Sequence, residues 1–168
     1  GGAPYADAAT ASPRFSDKIV GLNLMSVIHV SKAANAVMQA QDDGGSIINI
    51  TSVSGIRPSP GTAAYGAAKA GVESLTTSLA IEWAPKVRVN CVTAGLIATE
   101  GGDEHYGGPE GMARVAATIP AGRMGTPADV GDAVLFLCSP LASYITGSSV
   151  LMHGGGEKPA FLGAVDGA

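Results

Sequence analysis

The 168-residue chain predicts an α/β fold built on a parallel sheet. Three observations lead there. Segments with helical spacing of apolar residues alternate with short β-rich runs, in the order helix, strand, helix, strand, helix, strand. That order implies parallel strands joined by right-handed crossovers. The first β-rich run is apolar on both faces except at Asn49, as a strand covered by helices on two sides requires. Finally, 46% of the residues are hydrophobic and 14% are charged, so the chain has the apolar side chains to fill a core. The length suits a single domain over residues 1–168.

The elements follow in order. Residues 1–13 are rich in Ala, Pro, Ser and Thr and read as loop, opening on Gly1-Gly2 with no Met. Residues 14–40 read as one long helix with Ile19, Asn23, Ser26, Val30, Ala33 and Val37 on an inward stripe. Asn23 is a polar member of that stripe and needs hydrogen-bond partners. Asp42-Asp43-Gly44-Gly45 breaks the helix, and Ser46 to Ile50 form the first strand. Thr51 to Thr62 is a Ser/Gly/Pro loop, 63–84 a second long helix ended by Pro85, and Val87 to Val92 a second strand. A Gly-rich loop over 94–108 precedes a short helix at 109–118. Thr126 suits an N-cap, Pro127 the first helical position and Asp129 the positive first turn of a helix over 127–138. Residues 148–152 read as the last strand and 154–168 as a loop-like tail. Three strands make a small sheet whose first member has an uncovered edge, which points to sheet lying before residue 14.

Several function classes are disfavoured. A net charge of −4 gives no electrostatic footprint for nucleic acid or an anionic membrane. No stretch reaches the roughly 18 apolar residues of a membrane span. No basic-then-apolar signal segment opens the chain, so a cytoplasmic location is expected. Cys91 and Cys138 form no CxxC pair and no Cys/His cluster, so no metal site is expected and both read as buried thiols.

The chemistry concentrates in ITSVSG at 50–55 and YGAAK at 65–69. Ser52 stands just past the carboxyl end of a strand, where open α/β sheets bind ligands. Tyr65 and Lys69 lie four apart on a helix and share a face. A phenol's pKa of about 10 is too high for neutral acid–base work. A neighbouring ammonium favours the phenolate. A hydroxyl, a phenol and an ammonium together suit proton transfer to a carbonyl oxygen while hydride reaches its carbon. Each feature alone has an ordinary structural explanation; their order and placement make the signal.

GGSIINITSVSG, AAYGAAKAGVESLTTSLAIEW, VRVNCVTAGLIAT and GRMGTPADVGDAVLFLCSPLASYITGSSVLMHGG resemble successive blocks of the short-chain dehydrogenase/reductase family. The resemblance covers nearly the whole chain. It implies a Rossmann-type doubly wound parallel sheet whose amino-terminal half is absent, and NAD(P)-dependent interconversion of an alcohol and a ketone. By resemblance Tyr65 is the general acid or base. Lys69 assists it and bonds the nicotinamide ribose. Ser52 holds the substrate oxygen, and Asn23 supports a relay water. Gly95, Ile97 and Thr99 fall on cofactor-contacting positions, although Ala94-Gly95 replaces the family's usual Pro-Gly. His153 replaces an Asp and reads as structural.

The family's Gly-rich phosphate loop and its ribose-reading residue are not in the chain, which leaves NAD against NADP open and implies weak dinucleotide binding and no measurable turnover by this piece alone. The resemblance also implies a homotetramer and a small-molecule carbonyl or alcohol substrate. Substrate choice would lie in 96–122, a loop containing Glu100, Asp103, Glu104, His105 and Tyr106, most of which read as a solvated lid. Two alternatives stand: a scaffold or inactive fragment that kept the fold, and an isomerase or dehydratase on the same fold.

Overall fold

The computed structural model describes residues 2–102 and 106–165. A segment without regular structure leads into helix α1 (Pro13–Val20). A five-residue π-helical turn, Gly21–Met25, carries the helix on into α2 (Ser26–Ala40). Strand β1 (Gly45–Ser52), helix α3 (Ala63–Trp83) and strand β2 (Val87–Ala94) follow. Then come α4 (Gly108–Thr118), α5 (Pro127–Cys138), β3 (Ser149–Met152) and α6 (Ala160–Val165). The strands are parallel and ordered β1-β2-β3. Among the described residues no strand lies beyond β1, and Ile50 near its end is exposed.

Alternation along the strands builds two cores, one on each face. Ile47, Val87 and Val89 pack with Leu79 and Ala80 of α3 and with Ala34 and Met38 of α2. On the other face Val92 packs with Leu137 of α5 and with Ala142. Asn90, fully buried, ties β2 to the approach to β3: its amide donates to the Ile145 carbonyl at 2.8 Å and its oxygen accepts from Ser148 N at 3.0 Å. At the other end, Gly44 turns the chain at φ +67°, where a Cβ would lie 1.9 Å from the Lys86 carbonyl oxygen. Only glycine permits the helix to end there and enter β1.

The long first helix corrects the sequence expectation. Ile19 and Asn23 are buried as expected, but Val30 and Val37 are exposed. The inward residues after the turn include Ser31, Ala34 and Met38. The π turn inserts one residue, so the inward stripe moves on by one position. Two smaller corrections follow. Cys91 is buried but Cys138, at the end of α5, is exposed. The tail read as loop contains α6.

The start of α5 forms as its sequence signals. Thr126 Oγ1 accepts from Asp129 N at 3.2 Å, and Asp129 Oδ2 accepts from Thr126 N at 2.7 Å. Arg123 closes a fork on the same carboxylate, with both contacts at 2.8 Å. Arg123 first and Thr126 second hold the Asp129 carboxyl well below the usual carboxylate range. Replacing Thr126 by Ala removes the N-cap and should cost about 1 kcal/mol in denaturant unfolding. The folded-state pKa of Asp129 is depressed, so whatever its carboxylate adds is present above the unfolded carboxylate range, near pH 4, and fades as pH falls below it. Asp129→Asn should flatten the acid side of the stability–pH curve; an unchanged slope would show that the fork does not act on stability.

Candidate active site

β1 and β2 end side by side, with Ser52 opposite Ala94. Beyond their carboxyl ends opens a cleft of about 890 Å³, within the size range of small-molecule and cofactor sites. Ser52 reaches it from β1, Tyr65 and Lys69 from α3, and Gly95, Ile97 and Thr99 from the segment after β2. Six of the seven residues singled out from sequence are thus brought to one cavity.

Ser52 has extended backbone, and its Oγ accepts from Ser54 N at 3.2 Å, capping the short 3-10 turn Val53–Gly55. That bond uses a lone pair and not the hydroxyl proton. The Lys69 ammonium stands 5.7 Å from the centre of the Tyr65 ring, within cation–π range. It donates to the Ile50 carbonyl at 2.9 Å, so β1 fixes its position. Lys69 is 8% exposed, and burial pulls its pKa below the ordinary lysine value.

Under this site lies a polar layer that the sequence reading passed over. Thr51 Oγ1 donates to Glu73 Oε1 at 2.6 Å and lies 2.8 Å from Thr93 Oγ1. Thr93 also bonds Glu73 and Ser149. Asn49 donates to Thr76 Oγ1 at 2.9 Å. The layer joins α3 to β1 one turn after Lys69, clamping the helix that carries Tyr65 to the strand that carries Ser52. Its signal was available: Tyr65, Lys69 and Glu73 repeat at four-residue spacing on one helix face.

The segment after β2 is held by backbone. Gly95 N donates to Met152 O at 2.8 Å, Ala98 N to Gly125 O at 2.8 Å and Gly125 N to Leu96 O at 2.9 Å. A Cβ on Gly95 would stand 2.7 Å from His153 Cβ and 2.8 Å from its Cα. The second contact is with backbone and cannot swing aside. Gly95→Ala should cost about 1–3 kcal/mol by overpacking and displace the segment bearing Ile97 and Thr99. A melting midpoint equal to the parent's would overturn that expectation.

Asn23 is not among the cleft's walls. It sits in the π turn at 1% exposure, its amide donating to Ile19 O at 3.0 Å and to Gly2 O at 3.2 Å. Its Oδ1 is buried with no partner among the described residues. Tyr106, in the same loop, is half-buried in the cleft wall. Burial first, and Tyr65 second, raise its pKa. Glu100 is exposed, and Asp103, Glu104 and His105 lie outside the described residues. Among the described residues no group of His, Cys, Asp and Glu is placed to hold a metal, and no helix is long and apolar enough to cross a membrane.

A family model described as enoyl-(acyl carrier protein) reductase matches residues 1–157. The chain belongs to the short-chain dehydrogenase/reductase family. Among relatives of this family, the 2-dehydro-3-deoxy-D-gluconate 5-dehydrogenase of Escherichia coli is 34% identical over 89% of this chain and 59% of its own. The aldohexose dehydrogenase of Thermoplasma acidophilum superposes with a TM-score of 0.86 at 31% identity, over 92% of this chain and 64% of that one. An NADPH-bound short-chain oxidoreductase of Pseudomonas aeruginosa gives 0.84 at 32% identity, over 95% and 64%. The chain therefore has the Rossmann-type sheet of these dehydrogenases and spans about three fifths of their length.

Proposed function

We propose that this family member interconverts an alcohol and a ketone with NAD or NADP, using Tyr65, Lys69 and Ser52. The observation that carries the reading is the buried Lys69 ammonium, pinned on the Ile50 carbonyl beside the Tyr65 ring in the cleft that Ser52 also lines. The residues fit the nicotinamide half of such a cofactor. The cleft offers an ammonium, the Thr99 hydroxyl and a side-chain-free wall at Gly95. Lys69, Gly95, Ile97, Thr99 and Tyr65 would hold it. When bound, the cofactor supplies hydride to the carbonyl carbon.

The chain's own residues handle the oxygen and the proton. Ser52 donates its O–H to the carbonyl oxygen and fixes it. Tyr65 gives that oxygen a proton in reduction and takes one back in oxidation. Lys69 stabilises the phenolate that remains. The Oδ1 of Asn23, buried without a partner among the described residues, is suited to accept from a water behind the site, which supports its relay role. Exposed Val30, Val37 and Ile81 on the long helices support assembly through these helices into a tetramer.

The test is a screen of the purified full-length protein with NADH and NADPH against ketones, and with the oxidised forms against alcohols. Substrate-dependent change in nicotinamide absorbance is expected. Product formation without that change would replace the redox reading by isomerisation or dehydration. No turnover despite confirmed dinucleotide binding would favour a scaffold.

A further inference from the structure

A second cavity, of about 220 Å³, adjoins Tyr65 and the segment before α1. The segment before α1 crosses the start of α3, with Ala6 N donating to Gly61 O at 2.8 Å. The space left between them is walled by Phe15 and Ile19 of α1, by Ala64 of α3, and by small side chains of the crossing segment such as Ala8 and Ala11. The polar side chains among its lining residues are those of Ser16, Thr62 and Tyr65, and no charged residue lines it among the described residues. Ala3, Thr62 and Tyr65 also line the large cleft, so the two spaces share a wall at the proposed acid. A molecule with its carbonyl oxygen at Tyr65 can place a substituent in the smaller chamber.

We propose that this chamber receives an uncharged, apolar arm of the substrate, a short alkyl chain or a single ring. The inference rests on the redox reading above and names its substrate class. Size allows it, since an apolar cavity of about 150 Å³ already accepts benzene. Electrostatics narrows it. A carboxylate or phosphate placed there would lose its water with no charged side chain in the chamber's own walls among the described residues. Of the cations lining the adjoining cleft, Lys69 is held on the Ile50 carbonyl at 2.9 Å and Arg57 is engaged by Glu157 at 2.6 Å. Sugar acids and acyl phosphates are thereby disfavoured against plain ketones and secondary alcohols.

The experiment is calorimetric binding of acetone, 2-butanone, 2-pentanone, 2-hexanone and 2-heptanone to the protein, with 4-oxopentanoate as the charged counterpart of 2-hexanone. Kd should fall about fourfold per methylene until the chamber is filled. 4-Oxopentanoate should bind at least about tenfold more weakly than 2-hexanone. Ala8→Leu from the loop side and Ala64→Leu from the helix side should each flatten the chain-length dependence; two variants are used because either could misfold. A flat series in the parent protein, equal binding of 4-oxopentanoate, or an undiminished slope in a folded variant would overturn the proposal. Nicotinamide absorbance separates the two readings. A slope without redox turnover leaves the chamber standing and removes the oxidoreductase; turnover without a slope does the reverse.

Discussion

Tyr65→Phe should lower turnover by about 10²- to 10⁴-fold, the range associated with loss of a positioned acid or base. Dinucleotide binding should hardly change. The substitution removes one oxygen and keeps the ring over which the Lys69 ammonium stands. Lys69 keeps its bond to Ile50 O, because that anchor belongs to β1 and not to Tyr65. Ser52 likewise keeps its cap on Ser54. The variant therefore isolates the proton-transfer step from the packing of the site. Steady-state kinetics and a fluorescence titration of NADPH on the same sample make the measurement. Retention of more than about a tenth of the turnover would place the acid elsewhere. Tyr106, in the same cleft and coupled electrostatically to Tyr65, would be the group to examine next.

Leu137→Ala should destabilise the fold by about 2–5 kcal/mol. Leu137 is fully buried between α5 and the sheet, against Val92 and Ala142, so truncation leaves a void that the strand cannot collapse to fill. Leu135, two residues earlier on the same helix, is 69% exposed. Leu135→Ala should change stability by no more than about 0.5 kcal/mol. Urea unfolding of the pair, read from midpoints at constant slope, gives the comparison. Equal losses would mean that α5 does not pack on the sheet as described, or that Leu135 is covered in an assembly.

Much of the fold could be read from local pattern, because most of it is local. The strand runs SIINI and VRVNCV and the capping signal Thr126-Pro127-x-Asp129 declare their elements without help from distant residues. The Ser52, Tyr65 and Lys69 set was legible for the same reason, since four-residue helical spacing and a strand end are one-dimensional facts. What was hidden depends on contacts across the chain. Thr51 and Thr93 sit 42 residues apart and meet Glu73 only once β1, β2 and α3 are assembled. Asn90 is an ordinary strand residue until the 145–148 turn folds back onto it. Tyr106 belongs to a Gly-rich loop with no periodicity, so nothing local distinguishes a wall of the cleft from a solvated lid. The phase of the long helix was lost differently: its period was read correctly up to Asn23, and no residue type in GLNLM announces an extra residue in the turn.

That extra residue makes the helix behave as two messages in different frames. Removing any one residue of the π turn would bring Val30, Ala33 and Val37 under the sheet and send Ser31, Ala34 and Met38 outward, much as a single-base deletion changes every codon downstream. Both frames carry small and apolar side chains, so the helix itself would tolerate the change; the Ser31–Asn49 contact and the Met38 packing beneath Gly45 would not. A one-residue deletion here is thus a larger event than most substitutions in the chain, and point-mutation surveys alone would underestimate how tightly this helix is specified.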